Sequence, residues 1–166
     1  MSIKHKAMLI GAIGAGKSTL THALLENNVK AVKTQSLVYY DWIVDTPGEY
    51  TENPLFYKNI MATSLEVTHV LFLQDATKNK LIFPPGFSSG INKLAIGVVT
   101  KCDHKDANIE LAISNLKKVM IKGPIVMTSA ITGEGLREIR NLVKSESIQE
   151  MRKICKQQPS NVVLFI

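Results

Sequence analysis

Apolar positions along this chain alternate between two spacings, and the alternation lays out the fold. Ile3 to Ile10 reads as a strand, and Lys17 to Asn27 carries Leu20, Ala23 and Leu24 at helical spacing before Asn28 closes the turn. Leu37 to Tyr39 and Trp42 to Asp45 are short β-rich pieces separated by Tyr40-Asp41. Leu55 to Leu65 starts just after Pro54, a residue suited to the first turn of a helix. Val67 to Gln74 and Leu94 to Thr100 are almost continuously apolar, as strands covered on both faces must be. Ile109, Ala112, Ile113, Leu116, Val119 and Met120 form one helical stripe that Pro124 stops, and Ile125 to Met127 returns to strand spacing. Leu136, Ile139, Leu142 and Val143 make a further stripe. Ser145-Glu146-Ser147 then shifts its phase before Ile148, Met151 and Cys155 resume it, which predicts two helical pieces. Pro159 ends the second piece, and Val162 to Ile166 is a very apolar terminus. Strands alternating with helices predict an α/β fold with parallel strand pairing and right-handed crossovers.

Length and composition fit that outline. The chain has 166 residues, 45% hydrophobic and 20% charged, one domain's worth of a water-soluble protein. We divide it into residues 1–144, carrying the alternating pattern, and a helical extension with an apolar tail over 145–166. No apolar run approaches the roughly 18 residues of a membrane span, and glycines followed by Lys17 interrupt the apolar stretch after Lys4-His5-Lys6 where a signal sequence would continue. Cys102 and Cys155 form no recognisable framework, so free thiols in a reducing cytoplasm are expected. The net charge of +6 invites a nucleic-acid reading. Its lysines and arginines, however, lie on helix faces without the interleaved aromatic residues of a single-strand groove, which argues against nucleic acid. His5, His22, His69 and His104 have no metal-ligand spacing.

The chemistry begins at Gly11-Ala12-Ile13-Gly14-Ala15-Gly16-Lys17-Ser18, a G-x-x-x-x-G-K-[ST] phosphate loop between the first strand and the first helix. Such a loop turns several backbone N–H groups into one concavity, where Gly11, Gly14, Ala15 and Gly16 cradle phosphates and the helix N-terminus adds its positive dipole end. Lys17 is assigned to the outer phosphates, the Ser18 hydroxyl to Mg²⁺, and Thr19 continues the loop's contacts. Further motifs follow, each at the C-terminal end of a predicted strand, where open α/β sheets bind ligands. In Asp45-Thr46-Pro47-Gly48, Asp45 can hold Mg²⁺ through water and the Gly48 N–H can approach a γ-phosphate unobstructed. In Thr100-Lys101-Cys102-Asp103 the Asp103 carboxylate can accept two hydrogen bonds from the N1–H and N2–H₂ edge of guanine, a pair adenine lacks. Ser129-Ala130 can offer a backbone N–H to the guanine carbonyl.

In order and spacing these motifs resemble the GTPase branch of the P-loop NTPases, which implies a single-domain Ras-like GTPase architecture: a mostly parallel sheet flanked by helices. With Glu49-Tyr50, Glu52-Asn53, Gln74-Asp75-Ala76-Thr77, Phe83-Pro84-Pro85-Gly86-Phe87 and Gly97-Val98-Val99, the chain resembles the EutP/PduV family of small P-loop proteins of bacterial ethanolamine and propanediol utilisation, over about residues 5 to 143. That resemblance implies GTP or GDP with Mg²⁺, ATP being the alternative nucleotide, and association with a metabolic microcompartment. Thr100 stands where the family of GTPases usually has Asn, at the loss of an amide contact to the base and the phosphate loop. Glu49 stands where many have a water-orienting Gln, which predicts slow hydrolysis beside a triphosphate, and the bulk of Ile13 argues against an arginine finger. Thr34 is a candidate third Mg²⁺ ligand, with only a short hairpin before Asp45.

The leading expectation is a Mg²⁺-dependent, slow GTPase acting as switch or assembly factor, with Lys17, Gly48 and Glu49 as its catalytic candidates. An ATP-dependent acetate or propionate kinase and a non-hydrolysing binding module of the shell are the alternatives. Two partner surfaces suggest themselves. Phe83 and Phe87 are stiffened by prolines on a loop expected on the nucleotide side, and Ile148 to Gln158 is an amphipathic helix able to dock on a shell or enzyme groove.

Overall fold

The structure is a computed structural model describing residues 5–26, the backbone of 32–34, and 36–166. Its centre is an eight-stranded sheet in the order β2-β3-β4-β1-β5-β6-β7-β8. Five strands run parallel: β4 (Ile43–Asp45), β1 (Ala7–Ile10), β5 (His69–Asp75), β6 (Leu94–Thr100) and β7 (Pro124–Met127). The antiparallel hairpin β2 (Val32–Thr34) and β3 (Leu37–Tyr39) extends one edge, and β8 (Val163–Phe165) closes the other. Period-two alternation divides the core into two layers. Ala7, Leu9, Leu71, Leu73, Ile96 and Val98 face α1 (Lys17–Leu25) and α5 (Leu136–Val143), while Met8, Ile10, Val70, Phe72 and Val99 face α4 (Ile109–Val119). All seven residues of β5 are buried, the signature read from its unbroken apolar run.

The predicted helix from Leu55 is a 3₁₀ turn, Pro54–Phe56, followed by α3 (Tyr57–Ser64), and a four-residue helix α2 (Glu49–Glu52) precedes it. Asn53 caps the turn, its Oδ1 accepting from the Leu55 N–H at 3.1 Å. The phase shift at 145–147 is the start of α6 (Ile148–Gln157): Ser147 Oγ accepts from the Glu150 N–H at 3.1 Å, and Glu150 Oε2 reaches back to the Glu146 N–H at 2.7 Å.

Two sequence expectations about surfaces are corrected by packing. The apolar stripe of α6 is not free to dock elsewhere: Met151 is fully buried, and Ile148, Ile154 and Cys155 pack against the same core layer as α5. The apolar tail is strand β8, in register with β7 through Pro124 and Phe165; reciprocal bonds between Gly123 and Ile166 fix one end, and the Met127 N–H donating to Val162 O at 2.8 Å fixes the other. The guanidinium of Arg152 lies 5.0 Å above the Phe165 ring. Residues 145–166 thus lend a helix and a strand to the sheet and its cover.

The second correction concerns Phe83 and Phe87. The crossover from β5 to β6, residues 76–93, contains a 3₁₀ turn at Phe87–Gly90 and no α-helix. It leaves the C-terminal edge of the sheet and runs to the opposite one, where the Gly86 N–H donates to Lys118 O at the far end of α4. Phe83, 3% exposed, sits edge-on to Phe72 at 5.5 Å and stacks on Phe87 at 5.8 Å, while Tyr57 packs on Phe87 at 5.0 Å. Phe83 is core and Phe87 packs half-buried against it, folded inward because an extended crossover must bring its own apolar cover for the β5 face that a helix would otherwise shield. No described helix is long and apolar enough to cross a membrane.

Candidate functional site

β1 ends at Ile10, and the chain turns back over the sheet edge before α1 begins. The Ala15 N–H donates to Ala12 O at 3.0 Å, and Gly14 and Gly16 take φ of 79° and 98°, backbone that side chains rarely adopt. Gly11 is required for a different reason: a Cβ there would lie 3.0 Å from Leu73 Cβ on the neighbouring strand β5. Lys17, 7% exposed, folds back along the loop and donates from Nζ to Gly11 O at 2.9 Å and Ala12 O at 2.7 Å. Burial lowers its pKa, and the charges of Asp45 and Glu52 partly restore it.

Asp45, at the end of β4, accepts from the Ser18 hydroxyl at 2.7 Å through Oδ2. Its Oδ1 is buried without a partner. Burial raises the Asp45 pKa, against the opposing pull of the Ser18 hydrogen bond and the Lys17 charge. A hydroxyl and a half-satisfied carboxylate, both oxygen donors lining one cavity, fit a hard divalent cation such as Mg²⁺. Among the described residues, no group of three or more His, Cys, Asp or Glu side chains could hold a metal by itself, so such a cation would rely on further oxygens from its ligand or water. The side chain of Thr34 lies outside the described residues. Ser36, at φ 72°, lines this cavity on the β2–β3 turn instead.

The cavity over the loop has a volume of about 500 Å³ and takes in Lys17, Ser18, Asp45 and Gly48. Glu49 is exposed at the start of α2 and is not part of its lining. A second cavity of about 190 Å³ lies beyond Gly16 and includes Thr100, Asp103 and Ala130. Gly16, Thr19 and Lys101 line both, so the two form one tract along the C-terminal edge of the sheet. Asp103 stands exposed at the second cavity. Ser129 is fully buried and shapes the loop: its N–H donates to Glu134 O at 3.0 Å and its Oγ accepts from the Thr132 N–H at 3.1 Å. Ala130 lines the cavity in its place. The Cys102 thiol is pushed up to about 11, chiefly by burial, and donates weakly to Val99 O at 3.5 Å.

The substitution at Thr100 loses less than expected. Its hydroxyl donates to Ala15 O at 2.7 Å, so the strand end still fastens the phosphate loop. Lys101 adds a second fastening, from Nζ to Gly14 O at 2.8 Å, and a third, to Asp75 Oδ2 at 2.7 Å. Sequence reading quotes Asp75 within Gln74-Asp75-Ala76-Thr77 but gives it no role in the site. Its position at the end of β5, level with Thr100 in the parallel register, was the available signal.

Residues 4–145 match the family model PduV-EutP, described as ethanolamine utilisation and propanediol utilisation. The chain belongs to the PduV-EutP family. Among curated PduV-EutP relatives it is similar to the probable acetate kinase EutP of Salmonella typhimurium, 31% identical over 143 residues, 85% of this chain and 90% of the relative. It is likewise similar to the propanediol utilization protein PduV of Citrobacter freundii, 33% identical over 135 residues, 81% and 89% of the two chains. Solved structures place the PduV-EutP chain among GTPase-like folds. The G domain of the Thermotoga maritima FeoB iron transporter superposes with a TM-score of 0.58 at 21% identity, over 84% of this chain and 96% of that one. Translation elongation factor SelB of Methanococcus maripaludis in complex with the GTP analogue GppNHp gives 0.52 at 25% identity, over 86% of this chain and 34% of SelB.

Proposed function

We propose that this PduV-EutP protein binds GTP and GDP with Mg²⁺ and hydrolyses GTP slowly, as a cytoplasmic switch or assembly factor of ethanolamine or propanediol microcompartment metabolism. The observation that carries the reading is the continuous tract from Asp45 and Ser18, across the phosphate loop, to Asp103. Lys17 and the loop amides take the phosphates, Ser18 and Asp45 hold the cation, Asp103 accepts from the guanine edge, and the Ala130 N–H faces the base carbonyl. The SelB likeness, in complex with a GTP analogue, supports the same assignment. A Mg²⁺ held by Ser18 and Asp45 would supply charge neutralisation at the outer phosphates. Slow hydrolysis follows from this chain's own residues: Glu49 lies outside the phosphate cavity, and Ile13 crowds Gly48. Titration with GTP, GDP and ATP, with and without Mg²⁺, tests the reading; equal affinity for ATP and GTP overturns it. Asp103→Asn should move preference from guanine toward xanthine nucleotides.

A second reading, transfer of the γ-phosphoryl group to a small carboxylate, takes its support from the names of the EutP relatives. The geometry offers it less. An acetate acceptor needs a cation near the γ-phosphate, and the cationic side chains among the described residues lining that cavity are Lys17 and Lys101. Lys17 is committed to the outer phosphates and Lys101 is shared with Gly14 O and Asp75, which leaves no unshared cationic side chain there, among the described residues, for a second anion. Trapping acyl phosphate with hydroxylamine, in reactions with acetate or propionate and either nucleotide, separates the two.

A further inference from the structure

We propose that Asp75 positions Lys101 for nucleotide binding, holding it as the wall that joins the phosphate cavity to the base cavity. This inference rests on the guanine-nucleotide reading above and adds to it a residue outside the phosphate loop and the three strand-end motifs.

Lys101 is the residue in need of holding. It has φ 60°, a left-handed conformation that costs a side-chain-bearing residue free energy, and it sits where β6 ends. Its stem passes over the phosphate loop: a Cβ at Gly16 would lie 4.0 Å from Lys101 Cε. Its side chain is more than a third exposed, so packing alone does not fix it. Two groups take its ammonium: Gly14 O at 2.8 Å and Asp75 Oδ2 at 2.7 Å. An ammonium has three donors, so one remains for a ligand in the tract.

Asp75 is built for the holding role. It is 5% exposed, at the end of a fully buried strand, and its other oxygen is occupied: Oδ1 accepts from the Thr77 N–H at 2.8 Å and the Thr77 hydroxyl at 2.6 Å. The carboxylate therefore cannot turn away from Lys101 without giving up both bonds. Burial alone would raise its pKa, yet the Lys101 and Thr77 hydrogen bonds outweigh that and hold the carboxyl below its ordinary range. A buried charge with fixed geometry can impose a position on a mobile partner, and here the partner lines both cavities. Loss of Asp75 frees Lys101 to leave Gly14, which loosens the loop and the wall together. The effect should fall equally on every purine nucleotide, because Asp75 never faces the base edge that Asp103 reads.

The test is a double-mutant cycle of Asp75→Asn and Lys101→Met, read by the dissociation rates of fluorescent GDP and IDP with Mg²⁺ and by thermal melting. Wild-type binding of GDP is the entry condition; its failure overturns the functional reading rather than this one. With binding present, Asp75→Asn should speed release of GDP and IDP by the same factor, about tenfold, and should add less than twofold in the Lys101→Met background. Release at the wild-type rate overturns the proposal, as does a full further tenfold in that background. If Asp75→Asn does not fold, Thr77→Val decides: a smaller acceleration, of at least twofold, that vanishes with Lys101→Met supports the proposal, and an unchanged rate overturns it.

Discussion

Ile13 of the phosphate loop rests directly on Gly48 at the end of the β4 motif: a Cβ built on Gly48 would lie 2.5 Å from the Ile13 nitrogen and 2.7 Å from its Cγ1. Gly48 is therefore fixed by contact as well as by the chemistry assigned to its N–H. Gly48→Ala should force the loop and the α2 turn apart, lowering stability by about 1–3 kcal/mol and abolishing GTP turnover. Ile13→Ala removes the side-chain part of the clash and leaves the backbone part, so it should not rescue the double variant. Melting temperatures and phosphate-release rates check both.

Asp45 is set to show two effects of opposite sign. Its pKa is raised by burial, so its charged form is less favourable in the folded protein than in the unfolded chain. Without divalent cation, stability from this group is greatest below its unfolded pKa and declines as pH rises through its folded one. Asp45→Asn should accordingly raise the melting temperature of the ligand-free protein at neutral pH, while cutting the Mg²⁺-dependent part of nucleotide affinity by 10-fold or more, on the order found when a cation's ligation shell is broken. Melts without ligand and nucleotide titrations with and without Mg²⁺ read the two effects separately.

His69 lies at the other end of the sheet, fully buried, between the Thr68 hydroxyl at 2.8 Å and the Ser145 hydroxyl at 3.4 Å. Burial, assisted by the charge of His5, lowers its pKa from 6.5 to about 4. The unfolded chain thus takes up a proton that the folded one refuses across that window. Stability from this group is whole above pH 6.5 and is lost as pH falls toward 4, by roughly 2 kcal/mol between pH 7 and 5. His69→Gln should flatten that slope in urea melts at the two pH values, whatever its effect on stability at pH 7.

Strand β8 is held to β7 and carries Phe165 beneath Arg152. Deleting residues 162–166 should expose the β7 edge, lower the melting temperature and promote self-association visible by size-exclusion chromatography. Nucleotide affinity of the remaining folded monomer should stay within twofold, because none of residues 162–166 lines the tract.

Much of the parallel core and the phosphate loop was legible because each depends on local pattern. Val67 to Gln74 and Leu94 to Thr100 announce two-sided burial, and Gly11 through Ser18 announces itself by spacing. What stayed hidden depends on partners distant in sequence. Val162 to Ile166 looked like a tail because strand identity came from pairing with Pro124 to Met127. Phe83 and Phe87 looked like a docking surface because nothing local says that the crossover lacks a helix and must supply cover for Phe72. Thr100 looked like a loss until Ala15 O, 85 residues earlier, appeared as its acceptor. Asp75 carried no chemical motif of its own; its meaning came from lying level with the β6 strand end.

The helix-free crossover has a consequence for how this protein yields to a protease. Ahead of its 3₁₀ turn, the crossover is held from outside itself over residues 76–86: Gln74 Nε2 lies 3.5 Å from Lys78 O and 3.4 Å from Lys80 O, Asn115 Nδ2 donates to Asn79 O at 3.2 Å, and the Gly86 N–H donates to Lys118 O at 2.7 Å. A segment held that way has no helical stability to fall back on when α4 frays. It should open as one unit, freeing the backbone at the already exposed Lys78 and Lys80 to enter the trypsin site and uncovering Phe72, so nicking there would report the local motion of α4 rather than unfolding of the sheet.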